Sequence, residues 1–179
     1  VCLHSRNMLP ATLSAEDVKD VCDHVAWKWF ENLRHPVLAK TAMWRFASSL
    51  VDNMQQKVNE DIDCNDEEPW LCLFSAHDST LIGLLCVLQL EMPSVWPEYA
   101  SALKVELIQE EDEDKIVQHW VRFSLNGQVL RSTWMEADGK HASMVPLDKL
   151  TDMIHDEHGL YEDDENSIKY SWKAGQLTQ

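Results

Sequence analysis

Apolar residues recur at every third or fourth position over the first third of the chain, run together near its middle, and alternate with polar ones beyond residue 103. Those patterns predict helices, then a buried stretch, then strands. Ser14 with Asp17 three residues on forms an approximate capping box, after which Val18, Val21, Cys22, Val25, Trp29 and Leu33 share one helical face. His35-Pro36 ends that helix. A second is expected from about Val37 to Val58, with Met43, Phe46, Ala47, Leu50, Met54 and Val58 on its stripe and Asn53, Gln55 and Lys57 turned outward. The two helices are expected to pack through these stripes.

The continuous apolar run Trp70 to Phe74 fits a strand buried on both faces, as in a parallel sheet. Ser79 to Leu90 follows as a helix apolar nearly all round, hence also buried. Leu103, Val105 and Leu107 alternate with Lys104 and Glu106, and Val117, His119, Val121, Phe123 and Leu125 alternate with Gln118, Trp120, Arg122 and Ser124, giving two strands. Asn126-Gly127 is a strong hairpin signal, so Gln128 to about Trp134 should fold back antiparallel. Pro146 opens a last helix through Leu147, Leu150 and Ile154, and the polar remainder from Asp156 is expected to be disordered.

Composition narrows this picture. At 179 residues the chain suits one domain, and its eight Trp suggest a bulky core or an apolar groove. A net charge of −16 speaks against nucleic acid or an anionic membrane as partner. The acids gather at 59–69, 109–115 and 156–166, each read as a solvated loop. Five cysteines at irregular spacing, with no C-x-x-C pair, indicate neither a zinc site nor a redox motif, and Cys72 and Cys86 read as buried thiols. The odd count and the absence of an Asn-x-Ser/Thr acceptor point to an intracellular protein. The longest apolar run, Leu81 to Leu88, is far too short to span a bilayer. No signal sequence shows, and a start at Val1 leaves room for an upstream segment.

His77-Asp78 is the strongest chemical candidate, because it falls between a buried strand and a buried helix, where open α/β sheets place ligands. A helix N-terminus there favours an anion such as phosphate. The bland reading is a cap, with Asp78 or Ser79 as N-cap. The His155-Asp156 dipeptide lies in a polar stretch and carries no such context. Metal binding needs further ligands that only His24 and His35 could supply, without ligand spacing, so no metal and no cofactor are expected. Glu106 on the polar face of its strand reads as structural or exposed, and His119 as a core histidine.

The stretch "LFSAHDSTLIGLLCVLQL" resembles the His-Asp block of the histidine acid phosphatases. "WPEYASALKVELIQE" is similar to that family's Trp-Pro segment, and "VRFSLNGQVL" with "VPLDKL" to its hairpin and Pro-Leu-Asp helix; within the family the likeness is nearest to the lysophosphatidic acid phosphatase type. The resemblance covers roughly Val37 to Ile154 and implies an α/β fold, a phosphoglycerate-mutase-like sheet flanked by helices, with a β-hairpin in its carboxyl-terminal portion. It implies segments at 1–36 (helical), 37–155 (phosphatase domain, carboxyl-terminal part) and 156–179 (acidic tail).

By the same resemblance the activity is hydrolysis of phosphate monoesters through a phosphohistidine, with lysophosphatidic acid as the nearest substrate. Asp78 would donate a proton to the leaving alkoxide and His77 would contact the phosphoryl group. A carboxyl beside an anionic substrate keeps its proton more readily, which suits acidic conditions. The family's nucleophile motif, Arg-His-Gly-x-Arg-x-Pro, does not occur, since Arg34-His35 is followed by Pro36, and "SMVPL" lacks the cysteine that often precedes Pro-Leu. The chain therefore reads as the proton-donor half of a site, inactive alone. The alternatives are a phosphatase-like binding module without catalysis, and an inositol-phosphate phosphatase, which the scarcity of Lys and Arg disfavours. Oligomeric state is not legible.

Overall fold

Ser14 starts the first helix with both halves of a capping box in place. In the computed structural model, which describes residues 8, 10–63, 71–92, 94–112, 114–132, 135 and 139–155, its hydroxyl accepts the Asp17 N–H at 3.0 Å and the Asp17 carboxylate accepts the Ser14 N–H at 2.7 Å. Each group satisfies a donor that the helix cannot. Helix α1 (Ala15–Leu33) closes at Arg34, and α2 (Pro36–Asp63) opens on the proline itself, whose missing N–H costs nothing in the first turn. α2 runs past the expected Val58, so residues 59–63 of the first acidic patch are helix rather than loop.

The buried face of α1 differs from the predicted stripe. Ala26 and Phe30 are buried, whereas Val21, Val25 and Trp29 are exposed. Two adjacent rows of the helix are both apolar at four-residue spacing, and burial falls on the row that meets α3 (Asp78–Val87), where Phe30 and Leu33 pack on Ile82 and Cys86. α1 accordingly packs more on α3 than on α2. The α2 stripe holds: Ala47, Val51 and Met54 are buried, with Met43, Phe46, Leu50 and Val58 packed beside them. Asn53, Gln55 and Lys57 are half-buried rather than turned outward, and Gln55 donates to the Thr151 hydroxyl at 2.9 Å.

Strands β1 (Leu103–Glu111) and β2 (Val117–Leu125) pair antiparallel along their whole length. On the other edge of β2 lie β3 (Gln128–Leu130), beside Phe123 to Leu125, and β4 (Met144–Pro146), beside Trp120 to Arg122. Asn126 (φ 51°) and Gly127 (φ 85°) make the β2–β3 turn, the left-handed pair that this dipeptide supplies cheaply. β3 stops at Leu130. Pro146 belongs to β4, and the last helix, α4 (Leu147–His155), starts one residue later and buries Leu147, Leu150 and Ile154.

The described residues thus form a mixed α/β fold with four helices and one antiparallel four-stranded sheet. Its main core joins α2, α3, α4 and β2 through residues such as Val51, Leu85, Leu88, Val121, Phe123 and Leu150. Burying each such side chain contributes about 1.5–3 kcal/mol.

The strand expected at Trp70 to Phe74 is corrected over 71–74, Trp70 lying outside the described residues. Residues 71–77 have no regular structure, and Leu71 and Leu73 are 78% and 83% exposed. A buried parallel strand needs a neighbour on each edge, and no described strand lies beside this run. Cys72 is exposed with it, while Cys86 is buried as expected. The tryptophans are also not mainly core: Trp27, Trp29 and Trp44 are exposed, and Trp120 is buried. The expected disordered tail from Asp156 lies outside the described residues. Among the described residues no helix is long and apolar enough to cross a membrane.

Candidate active site

The backbone turns from extended to helical at His77. Its φ of −91° and ψ of 162° make it the N-cap of α3, and its carbonyl accepts the N–H groups of Thr80 and Leu81 at 3.0 and 3.2 Å. Its side chain makes no capping bond, which leaves the imidazole available. Asp78 is the first helical residue rather than the N-cap, and from there its Oδ1 accepts the Ser79 N–H at 2.7 Å. Negative charge at this end of a helix is favoured by the aligned peptide dipoles.

What fixes this corner is the burial of the helix behind it. Ile82 through Val87 are all buried. Gly83 lets α3 approach α2 so closely that a Cβ there would lie 2.7 Å from Met43 Cγ. The helix ends at Leu88 because Gln89 turns left-handed (φ 52°), earlier than the predicted Leu90. Leu90 then bridges to Ser132, and the Glu91 N–H donates to the Arg131 carbonyl at 2.6 Å.

The following loop returns to the site. Arg34 Nη2 donates to the Met92 carbonyl at 3.3 Å, and Trp96 packs on the Phe30, Ile82 and Cys86 cluster. Its indole N–H donates to Asp78 Oδ2 at 2.7 Å, and its ring meets the edge of Trp29 at 6.0 Å between centroids. Trp96 is a partner of Asp78 that pattern reasoning missed. Its contact spans 18 positions across an irregular loop, and no periodicity encodes that; the single trace was its Trp-Pro segment.

His77 and Asp78 stand together at the start of α3, but both are exposed, because the stretch before them is not the buried strand that was expected. The exposed run 71–76 leaves that side open.

The other candidates lie elsewhere. His24 sits on the outer side of α1 against Trp27, at 5.6 Å between ring centroids, and His35 is exposed. Glu106 bonds Arg122 at 2.9 Å and Lys104 at 2.8 Å, a structural role as expected. His119 is only half-buried, bordering a cavity of about 350 Å³ between α2, β2 and α4. His155 pairs with Asp52 at 3.1 Å. Arg34 caps α1, with its guanidinium over the Phe30 ring. Burial pushes the Cys86 thiol up to about 12, so it is no nucleophile at neutral pH. Among the described residues no group of three His, Cys, Asp or Glu side chains could hold a metal ion.

A family model described as "Histidine phosphatase superfamily (branch 2)" matches residues 19–126, which contain most of α1, all of α2, α3, β1 and β2, and both His77 and Asp78. Counting factor 60 of Dictyostelium discoideum is 27% identical over 126 residues, covering 67% of this chain and 26% of that protein. The chain therefore spans about a quarter of the length of that relative. No solved structure matches it significantly.

Proposed function

Because the chain belongs to the histidine phosphatase superfamily, branch 2, we propose that it supplies the proton-donating side of a phosphomonoesterase site. The observation that carries this is the pairing of His77 and Asp78 at the start of a buried helix, inside the matched span. His77 contacts the phosphoryl group. Asp78 protonates the ester oxygen as it leaves, a step worth on the order of 10²–10⁴ in rate when the leaving group is an alkoxide. The nucleophile is an imidazole outside these 179 residues, since no Arg-His-Gly-x-Arg-x-Pro motif occurs among them.

Lysophosphatidic acid is the substrate that the Trp-Pro resemblance favours. The exposed Trp29 ring beside Trp96 offers an apolar surface to such an alcohol.

The absent nucleophile motif also supports a second reading, a phosphatase-like module that binds without turnover. Phosphate release from 4-nitrophenyl phosphate separates the two, measured for the 179-residue chain and for the longest in-frame product of its gene. The proposal expects no release from the first and turnover by the second. An inactive longer product means the binding module, and Asp78-dependent turnover by the short chain alone would place the nucleophile inside it.

A further inference from the structure

Among the described residues, Trp96 is the one side chain from outside α3 that bonds the Asp78 carboxylate. We infer that Trp96 is a positioning residue, whose indole N–H holds Oδ2 of Asp78 and so sets the orientation in which the carboxyl presents its proton to the leaving oxygen. This rests on the reading of Asp78 as proton donor.

An indole nitrogen donates and cannot accept. Each carboxyl oxygen of Asp78 therefore accepts one N–H at 2.7 Å, Oδ1 from Ser79 and Oδ2 from Trp96, which fixes the plane of the carboxyl. The oxygen that carries the proton keeps a lone pair for its N–H donor. In the reaction the imidazole nucleophile forms a bond to phosphorus, the ester P–O bond breaks with its electron pair on oxygen, and that oxygen takes the proton from the Asp78 carboxyl. The carboxylate left behind keeps the indole hydrogen bond, now charge-assisted and stronger.

The support for the indole is built in. Trp96 rests on Phe30, Ile82 and Cys86, and Trp29 meets its edge, so its N–H is aimed by packing from α1 and α3 rather than by its loop alone. Tryptophan also brings the helix-terminal acid a hydrogen-bond donor without a counter-charge. A lysine or arginine there would hold it as carboxylate.

Two measurements decide the matter. In the 179-residue chain, the ¹⁵N-indole resonance of Trp96, identified by its loss in Trp96→Phe, should move upfield in Asp78→Ala by more than any other indole resonance. If Trp96→Phe does not fold, contacts to Trp29 identify the resonance instead. An unmoved resonance overturns the inference. In the longest in-frame product, Trp96→Phe should lower kcat on an alkyl phosphate roughly ten- to hundredfold, the worth of one hydrogen bond to a charged group, with KM unchanged. The same variant should scarcely affect 4-nitrophenyl phosphate, whose leaving group needs no proton. Equal losses on both substrates would make Trp96 a packing residue and overturn the inference. A wild-type product inactive on both would instead sink the phosphatase reading, while the indole resonance still reports whether Trp96 holds Asp78.

Discussion

Glu106 and Glu110 each hold part of the sheet together by charge, and both carboxyls are held below the ordinary glutamate value of 4.5. For Glu106 the main cause is the Arg122 guanidinium, its cross-strand partner in the β1–β2 register, followed by Lys104. For Glu110 it is the bond from His141, whose Nε2 lies 2.7 Å from Oε2 and whose ring stacks on Trp120 at 3.8 Å. A carboxyl whose value is depressed by folding adds stability above its unfolded value and loses it as pH falls through the folded one. Urea midpoints should therefore hold steady down to about pH 5 and fall below it. The double variant Glu106→Gln, Glu110→Gln should show a shallower acid limb, and an unchanged limb would mean that these pairs contribute nothing.

At the scale of elements, the contact between α2 and α3 sets where the site stands. Gly83 permits that contact, with Met43 Cγ and Sδ at 2.7 and 2.8 Å from the place a Cβ would take. Gly83→Val should destabilise the chain by about 1–3 kcal/mol through overpacking, read from urea unfolding. Adding Met43→Ala should restore part of the loss; no recovery would assign the cost to something other than this contact. Where the determinants are local, the elements were legible: Ser14 with Asp17 marked the start of α1, and Asn126-Gly127 marked the hairpin. Where they depend on partners, they were not. Leu71 to Phe74 has the residues of a strand and no neighbour to pair with among the described residues, and the apolar rows of α1 could not say which of them meets α3. His77-Asp78 was legible because a short apolar run and a buried helix frame it, whereas the grip of Trp96 on Asp78 arises only once the loop after α3 has folded back.

For the molecule as a whole, the described residues form an antiparallel sheet and four helices, and the exposed start of α3 carries an imidazole and a carboxyl, with the Trp96 indole reaching the carboxyl from the loop that follows. The chain carries a net charge of −16, so attraction for an anionic ester must come from the helix terminus, from His77 and from groups supplied by the rest of a longer protein. The central claim is that Asp78 gives the proton to the departing oxygen. It is tested most directly by the ratio of kcat on an alkyl phosphate to kcat on 4-nitrophenyl phosphate, for wild type and Asp78→Asn in the longest in-frame product. The account predicts that Asp78→Asn loses on the order of 10²–10⁴ on the alkyl ester and far less on the nitrophenyl ester. An unchanged ratio would contradict it.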